Sequence, residues 1–528
     1  MGPLDWIIIV GYMLGMIALS YGLSRGQKDG RDYYLGGNKV GPLPIALSTM
    51  ATQCSTNSLL GAPAFVALSG GLLWLQYELA VPLAMIVIMV VIIPILRGLN
   101  LVSVYDYVER RYDVQTRVLL SILFQFLRAF STGVTVYALA LVLEFFMGIP
   151  FWVAVLLLGV VTVIYDVLGG IKAVIVSDVI QLFILVAGIV AAIWMALELN
   201  GGWAATWQHF DSAKAQTLDF AGHGWGDGAT FAFWPMLFGG LFLYVSYYGC
   251  DQTQIQRELS SRSVAHSQIS LFIGGILRFP LVALYCFLGV CLGAYLTLNP
   301  ELLDSLKQVD SGEINKNLVM PAFMQAHFPS GLLGLVLAGF FAAAMSSLDS
   351  TINSLSTLTM HDIVLRFFKD KVPASKELLY SKMLTVFWGV ICIVFAFFVG
   401  NVSGTVIEAV NKIGSLVNGP LLAVFLLGML SKRVGSLGIQ CGLILGFSTN
   451  VLLWNFAPDI SWLWWNVVGF FVASGSAISV SLFKPARNVA KELMAPGKVI
   501  PKASNLRTLA VLLAVYFCLI LLALEWVS

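Results

Sequence analysis

The segment AAAMSSLDSTINSLST, residues 342–357, combines small side chains and hydroxyls inside an apolar stretch. Small residues recur at helical spacings of three and four: Gly339, Ala342, Ala343, Ser346, Ser347, Ser350 and Ser354. In lipid, small residues indicate close packing of helices, and serine often bonds to its own helix backbone. Adjacent hydroxyls at membrane depth also offer the neutral oxygens that a partly dehydrated monovalent cation needs. The segment therefore has two interpretations, a helix-packing face and a cation site.

The composition around this segment predicts an integral membrane protein. The chain has 528 residues, of which 59% are hydrophobic and 11% are charged, and its mean hydropathy is +0.87. A soluble domain carries roughly 25% charged residues. Because a spanning helix needs about 20 apolar residues, we expect an all-α protein with about fourteen transmembrane helices. They cover residues 4–24, 42–68, 72–96, 118–146, 150–168, 173–197, 230–249, 268–297, 331–364, 383–400, 403–430, 436–456, 461–483 and 508–527.

The distribution of lysine and arginine predicts the orientation of these helices. One set of alternate loops carries 24 basic residues, and the opposite set carries three, Lys214, Lys307 and Lys316. Basic loops remain on the cytoplasmic side. We therefore expect a multi-pass protein of the plasma membrane, or inner membrane of a cell, with both termini on the outer side.

The charge and cysteine patterns exclude several classes of function. The net charge of +2 reflects topological loops and indicates no nucleic-acid surface. The seven cysteines are scattered without a C-x-x-C pair, and the five histidines suggest no metal site. A membrane enzyme needs a clustered nucleophile and base or a metal set, and the sequence offers neither. We expect no enzymatic activity and no organic cofactor, and the sequence does not indicate an oligomeric state.

Two of the expected spans contain interruptions. Span 42–68 has a polar run from Thr52 to Ser58, and span 230–249 has Pro235 and a polar run from Tyr244 to Gly249. Irregular backbone at membrane depth is tolerated only where it lines a cavity or lies buried in protein. The interruptions are five helices apart, as an inverted five-helix repeat produces.

A motif in the sixth span resembles the signature of the sodium/solute symporter family. Gly169-Gly170-Ile171-Lys172-Ala173-Val174 precedes Ser177-Asp178 and Gln181, with serine where threonine is commoner. The segment SSLDSTINS, the pair Asp251-Gln252 with Gln256-Arg257, and the run Leu421 to Gly428 before Lys432-Arg433 also resemble that family. The resemblance implies a leucine-transporter type of fold with an inverted five-helix repeat, and transport by alternating access.

This resemblance implies a division of the chain into five parts. Residues 1–41 form a first peripheral helix and an inner loop, and residues 42–197 form the first repeat. Residues 198–229 form an outer loop, and residues 230–430 form the second repeat. Residues 431–528 form three peripheral helices with a basic inner linker.

The resemblance also implies a sodium site. In the family, carbonyls of the first core helix and hydroxyls of the eighth hold the ion. The corresponding positions are the carbonyls of Ala51, Cys54 and Ala343 and the hydroxyls of Ser346 and Ser347. Oxygen ligands suit a hard cation. We therefore expect Na⁺ as the co-transported ion.

Two carboxylates lie within the spans beside that site. Asp178 matches the signature aspartate, and an intramembrane carboxylate is usually functional. It can hold a second sodium ion, support the first as a nearby charge, or serve a structural role. Asp349 can pair with a buried base, attract cations into the inner cavity, or cap the start of an exposed inner helix end.

The solute is expected between the two interruptions. Candidate side chains from span two are Gln53, Ser55, Asn57 and Ser58. The resemblance adds positions that match solute contacts or gates in sugar-transporting relatives: Tyr77, Glu78, Tyr247, Arg278, Asn411 and Lys412. Each of them also has a packing interpretation.

Three bases inside spans bear on the charge of the solute: Arg128, Arg278 and Lys412. An unpaired charge at this depth is costly. Glu408 can pair with Lys412 four residues later, and Glu78 and Asp349 can neutralise the others. Complete pairing favours a neutral sugar or polyol, whereas a base left over favours a carboxylate.

Together these features predict a sodium-coupled symporter that imports a small polar solute such as a sugar, sugar acid, monocarboxylate or vitamin. A proton-coupled symporter, with Asp178 as the proton carrier, and a solute-gated channel or sensor on the same scaffold remain alternatives.

Overall fold

The computed structural model describes residues 1–24, 29–54, 56–307, 314–399, 406–484, 490, 493–494 and 505–527, without the side chains of residues 56, 57, 369, 374, 406, 407 and 409. Across these ranges the chain is helical, with only three isolated β-bridges. Ser55 and the side chain of Asn57, two of the expected solute contacts, lie outside the described part.

The α-helices of the first half follow in chain order. They are α1 (Pro3–Ser24), α2 (Gly30–Leu35), α3 (Pro42–Gln53), α4 (Thr56–Leu68), α5 (Ala80–Val87), α6 (Ile93–Gly98), α7 (Tyr105–Arg111), α8 (Val114–Met147), α9 (Phe151–Leu199) and α10 (Trp203–His209). Short 3₁₀ segments are Gly36–Asn38, Gly71–Leu79 and Ser212–Lys214, and Ile88–Ile92 is a π-turn.

The second half contains twelve more helices among the described residues. They are α11 (Gly240–Gly249), α12 (Gln252–Leu259), α13 (Val264–Leu298), α14 (Glu301–Ser305), α15 (Val319–His327), α16 (Leu332–Leu358), α17 (Leu365–Phe367), α18 (Glu377–Phe398), α19 (Val406–Leu430), α20 (Ser436–Phe456), α21 (Trp462–Phe483) and α22 (Leu506–Val527). Pro235–Gly239 and Thr359–Val364 are π-turns, and Lys316–Leu318, Lys369–Lys371 and Ala374–Lys376 are 3₁₀ segments.

Eleven helices in the described ranges are long and apolar enough to cross a membrane. The protein is therefore a multi-pass membrane protein, as the composition predicts. Each of the fourteen expected positions contains helix, and three features explain why only eleven long helices are found in the part of the chain that the structure describes. Residues 42–68 are split into α3 and α4, and residues 230–249 form a π-turn and the short α11. The two expected spans 150–168 and 173–197 run together as the single helix α9.

Burial separates a core from a periphery. In the most apolar window of the span Leu332–Phe367, which contains α16, 83% of the residues are buried, against 22% for α1 and 17% for α22. A helix that is buried on all sides needs small residues where neighbouring backbones approach. The run of Ala and Ser in α16 supplies them, so α16 forms the centre of the helix assembly.

The double glycine of the signature motif forms a sharp kink inside α9. Gly170 has φ 58° and ψ −166°, outside the helical region. An added Cβ there would lie 2.6 Å from the main-chain oxygen of Tyr33, and one at Gly169 would lie 2.3 Å from Ser20 Oγ. Because a positive φ favours glycine, this pair lets the two halves of α9 change direction against α1 and α2.

The second interruption differs from the expectation. The polar run Tyr244 to Gly249 is helical in α11, and the irregular backbone lies before it, at Pro235–Gly239, and after it, at Cys250 and Asp251. Proline has no N–H to donate, and an added Cβ at Gly239 would lie 2.4 Å from the Leu463 carbonyl of α21. Close packing on α21 therefore explains the irregular turn.

Candidate functional site

The junction between α3 and α4 provides main-chain oxygens at the centre of the molecule. α3 ends at Gln53, and Cys54 leaves the helical region with φ −80° and ψ 57°. Ser58 Oγ donates across the break to the Gln53 carbonyl at 3.2 Å. The last carbonyls of a helix generally lack an intrahelical partner. Here the Met50 carbonyl accepts from the Cys54 N–H at 2.8 Å, so the carbonyls of Ala51 and Thr52 remain to face a neighbouring group.

The serine-rich face of α16 packs directly against this break. Ser347 Oγ lies 3.1 Å from the Thr52 carbonyl oxygen and 3.3 Å from the Ala343 carbonyl oxygen, and can donate to either. Ser346 Oγ lies 3.4 Å from Thr52 Oγ1 and donates to Asp178 Oδ1. Neutral oxygens from both segments thus meet at one point, as the cation interpretation of the serine segment requires.

The expected sodium ligands are distributed around this point. Ala343, Ser346 and Ser347 come together on α16, whereas Ala51 and Cys54 flank Thr52 on the other side. The side chain of Cys54 is turned away, with Sγ 3.4 Å from Tyr285 Oη. Thr52 itself was not among the expected ligands, although both its carbonyl and its hydroxyl take part in these contacts.

Asp178 forms a buried salt bridge with Arg257. The distance from Arg257 Nη2 to Asp178 Oδ2 is 3.0 Å, and both side chains have no exposed surface. Ser48 Oγ accepts from Arg257 Nε at 2.6 Å and donates to Asp178 Oδ2 at 2.5 Å. Arg257 also donates to the hydroxyls of Thr52 and Ser350. The charge of Asp178 is therefore balanced by one guanidinium.

We call this arrangement the junction cluster: Ser48, Thr52, Asp178, Arg257, Ser346, Ser347 and Ser350. The sequence did not indicate Arg257 as a member, because the segment 250–267 reads as a basic loop. The available signal was α12 itself, where Gln256 and Arg257 match the family resemblance. All eight residues of α12 are buried, so this loop helix folds back into the protein and delivers Arg257 to the cluster.

Asp349 contacts Tyr165 of the expected span 150–168. No described ion pair joins it to Arg128 or Arg278, the buried bases that the sequence offered as partners. Tyr165 Oη donates to Asp349 Oδ2, and Ser350 Oγ donates to Asp349 Oδ1 at 3.1 Å. The side chain is fully buried, so it does not cap an exposed helix end either.

A cavity with an empty volume of about 1240 Å³, counting the space open to solvent, lies beside the junction cluster. The expected residues that line it are Gln53, Ser58, Tyr77, Glu78, Arg128, Tyr247, Arg278, Ser347 and Asn411. We call it the central cavity. Its wall also contains Thr52, Trp74, Tyr244, Asp251 and Thr351, which the sequence did not indicate as solute contacts.

Arg278 is neutralised within the cavity wall. Its Nε lies 3.1 Å from Glu78 Oε2, and its Nη2 lies 3.4 Å from Glu78 Oε1. Tyr244 Oη donates to the same carboxylate at 3.1 Å, and Arg278 Nη1 contacts Cys54 Sγ and Tyr285 Oη at 3.0 and 3.3 Å. Glu78 thus pairs with a buried base, as the sequence suggested, through Nε and Nη2, and Cys54 and Tyr285 occupy Nη1.

Arg128 is held more loosely. Its Nη1 lies 3.7 Å from Asp251 Oδ2, and its guanidinium lies 5.5 Å from the ring centre of Tyr247. Its Nε has no hydrogen-bond partner in the described part of the chain. Asp251 also caps α12, where Oδ1 accepts from the Thr253 N–H at 2.7 Å. Of the two arginines in the cavity wall, Arg128 is the one with a donor left for a ligand.

Lys412 does not line the central cavity. Together with Glu408, Trp454, Trp462 and Trp465 it lines a separate cavity. Glu408 and Lys412 line the same cavity, and their expected i, i+4 pairing stays a prediction. Asn411, the neighbour of Lys412, faces the central cavity, because successive residues of a helix point about 100° apart.

Comparison with known proteins gives the context of this arrangement. The family model described as "Sodium:solute symporter family" matches residues 33–446. The chain is 29% identical over 451 residues to the sodium-coupled monocarboxylate transporter 1 of Homo sapiens, covering 85% of this chain and 72% of that protein. It is 27% identical over 492 residues to the sodium/sialic acid symporter SiaT of Proteus mirabilis, covering 92% and 97%.

A solved structure of similar fold supports the same relationship. It is the substrate-bound, outward-open state of a Na⁺-coupled sialic acid symporter, with a TM-score of 0.82 and 26% identity, covering 92% of this chain and 99% of that one. The family match spans most of the chain, and it includes the junction cluster and the wall of the central cavity. The chain therefore belongs to the sodium:solute symporter family.

Proposed function

We propose that this protein is a secondary active symporter that couples the entry of sodium to the uptake of a small organic anion. The observation that carries the proposal is that Thr52 and Ser347 belong both to the junction cluster and to the wall of the central cavity. A cation that fixes the break between α3 and α4 also fixes the wall against which a solute binds. Such a shared wall couples the two binding events, since a ligand shifts a conformational equilibrium by its differential affinity.

The sodium ligands in this proposal are the carbonyls of Ala51, Cys54 and Ala343 and the hydroxyls of Ser346 and Ser347. Ser347 Oγ lies within hydrogen-bond distance of main-chain oxygens on both sides of the cluster and donates to one of them, so a sodium ion would replace a hydrogen bond that holds the same groups together. Ser346 connects this set to Asp178. Because Arg257 balances the charge of Asp178, we assign Asp178 a supporting role beside the first sodium site and not the role of a ligand to a second ion.

The solute in this proposal carries a carboxylate. Arg278 is neutralised by Glu78, whereas Arg128 has a long ion pair and an unused Nε. A carboxylate accepts well from a guanidinium. The two named relatives transport monocarboxylates and sialic acid, and both solutes are carboxylic acids. In this view Gln53, Ser58, Tyr77 and Asn411 contact the remainder of the solute.

The topology in this proposal has fourteen crossings. Splitting α9 at Gly170 and counting the broken segments 42–68 and 230–249 adds three to the eleven long helices. Residues 42–197 and 230–430 then form two inverted repeats that support alternating access. Residues 1–41, 198–229 and 431–528 lie outside them, and both termini face the outer side of the plasma membrane because the basic loops face the cytoplasm.

Uptake by proteoliposomes tests the proposal. Labelled pyruvate, N-acetylneuraminate and glucose are supplied with and without an inward sodium gradient at fixed pH. We expect one of the two carboxylates to accumulate above equilibrium only with the gradient. Accumulation driven by a proton gradient alone would favour a proton symporter, and equilibration without accumulation or counterflow would favour a channel.

A variant of Arg128 tests the charge of the solute. We expect Arg128→Gln to lower carboxylate uptake by about 10- to 100-fold, since a hydrogen bond to a charged group contributes about 1.5–3 kcal/mol. Arg110→Gln is the matched control, because Arg110 is exposed and pairs with Asp106 away from the cavity. Equal carboxylate uptake by both variants would exclude Arg128 as the carboxylate contact.

A further inference from the structure

Asp166 is a buried carboxyl group with no role in the proposed transport sites. It lies on α9, one turn before the kink at Gly170, and has no exposed surface. Neither of its carboxyl oxygens has a hydrogen-bond partner in the ranges that the structure describes. Asp178, by comparison, contacts Arg257, Ser48 and Ser346.

The elements around Asp166 offer no base. Tyr33 and Tyr34 face it from α2, and Tyr33 Oη donates to its main-chain oxygen at 3.2 Å. Asp349 faces it from α16, and Tyr165 adjoins it on α9. On α18, Thr385 bonds to Tyr33 Oη at 3.0 Å. The described ion pairs do not include Asp166, so the titratable groups around it are phenols and another carboxyl.

Asn353 of α16 is the one amide beside this carboxyl. Its Oδ1 accepts from Gln256 Nε2 at 2.9 Å, and its Nδ2 has no hydrogen-bond partner in the described structure. A buried carboxylate needs a cation or several donors, since the desolvation of an unpaired charge costs several kcal/mol. A single amide does not offset that cost.

A buried acid without such partners takes up a proton. We propose that Asp166 binds a proton in this conformation and forms a protonatable site separate from the junction cluster. The ligand is the proton itself, bound to one Asp166 oxygen and released to water when the surrounding helices open. This site goes beyond the proposed sodium and solute sites and uses none of their residues.

The position of Asp166 favours exchange with one side of the membrane. Lys172, six residues further along and just beyond the kink at Gly170, is exposed. Lys172 belongs to the set of basic loops that we expect on the inner side. The proton of Asp166 is therefore expected to equilibrate with the inner aqueous phase.

Infrared difference spectroscopy on the purified protein tests the protonation state. Asp166→Asn keeps the shape of the side chain and mimics its neutral form. We expect this variant to lose one carboxylic-acid C=O stretching band that the parent protein shows at neutral pH. Asp304→Asn is the control, because Asp304 is exposed and paired with Lys307 at 2.7 Å, and it is expected to lose none.

An unchanged carboxylic-acid band in Asp166→Asn would overturn the proposal, since Asp166 would then be ionised. Should that variant fold poorly, Asp166→Ser is also neutral and must lose the same band. This measurement needs no transport, so its failure and the failure of the proposed symport are distinguishable.

Uptake at a fixed sodium gradient and fixed outer pH, with the inner pH varied, tests the direction of exchange. We expect the parent protein to respond to inner pH more strongly than Asp166→Asn. The difference in pH response between the parent protein and the variant reports on Asp166 alone, because the other buried carboxyls are present in both proteins. The same dependence on inner pH in both proteins would overturn the assignment of the site to the inner side.

Discussion

Arg257 and Asp178 form a salt bridge of 3.0 Å in which neither side chain has exposed surface. The bridge connects α12 to the second half of α9, and through the hydroxyls of Thr52 and Ser350 it reaches α3 and α16. Four segments that are distant in sequence thus meet at one buried ion pair. Such a pair is costly to break, because removal of one partner leaves the other charge uncompensated.

The first prediction concerns this pair. We expect Arg257→Gln to destabilise the protein by about 3–5 kcal/mol, since Asp178 is then buried without a counter-ion. Adding Asp178→Asn should recover part of that loss, because the double variant buries no charge. Thermal unfolding in detergent measures both changes.

Arg262→Gln provides the matched control for this experiment. Arg262 lies five residues further on, is exposed, and contacts only the Lys39 carbonyl at 2.8 Å. A double variant as unstable as Arg257→Gln would mean that the guanidinium acts through its hydroxyl contacts and not through charge balance.

The second prediction concerns Ser347. We expect Ser347→Ala to raise the sodium concentration for half-maximal uptake by about tenfold, because the loss of one oxygen contact of about 1.4 kcal/mol changes a binding constant tenfold. Ser354→Ala is the control, since Ser354 is buried on the same helix and bonds only to the Ser350 carbonyl at 2.8 Å. The same sodium dependence in both variants would remove Ser347 from the sodium site.

The third prediction concerns the kink in α9. At Gly170 a methyl group would lie 2.6 Å from the Tyr33 carbonyl oxygen, and φ is 58°. We expect Gly170→Ala to reduce the amount of folded protein strongly, since φ 58° with ψ −166° is a region that only glycine readily adopts, and this strain adds about 1–3 kcal/mol to the steric conflict. Gly11→Ala in α1 is the control, because an added Cβ there meets nothing within 4 Å. Size-exclusion chromatography of both variants gives the folded fraction.

The helical spacing of the serine segment predicts much of the site. Positions three and four apart lie on one face, so Ala343, Ser346 and Ser347 were expected together, and they are. The alignment of that face with the break after Gln53 came from the family resemblance. Seven of the ten expected solute contacts line the central cavity, and of the other three, Ser55 and the side chain of Asn57 lie outside the described residues.

Contacts between distant segments could not be predicted in the same way. Arg257 was counted with the loops because charge alone does not reveal that α12 is buried. Arg128 pairs with Asp251, although the sequence offered Glu78 and Asp349 as partners. Asn411 and Lys412 face different cavities because one step along a helix turns the side chain by about 100°. Each of these depends on tertiary packing that a single sequence does not specify.

The last prediction concerns Glu258, which follows Arg257 on α12 and is buried outside the long apolar helices. Its Oε1 accepts from Ser270 Oγ at 2.9 Å, whereas its Oε2 has no partner in the described structure. Burial raises the pKa of Glu258 to about 8, although Ser270, Ser267 and Arg257 act in the opposite direction. In the unfolded chain the pKa of a glutamate is about 4.3, so between these two values the folded state holds a proton that the unfolded state has released.

The sign of the effect follows from this difference. Stability is greatest below the pKa of the unfolded chain and falls by up to about 1.4 kcal/mol per pH unit as the pH rises towards the pKa of the folded protein. Glu258→Gln is neutral at every pH, so we expect a smaller loss of melting temperature between pH 5 and about 8, and a higher melting temperature at the upper end. Glu301→Gln, at an exposed position on α14, should retain the slope of the parent protein. A parental slope in Glu258→Gln would show that the buried carboxyl is already ionised in the folded state, with Arg257 compensating its charge as well as that of Asp178.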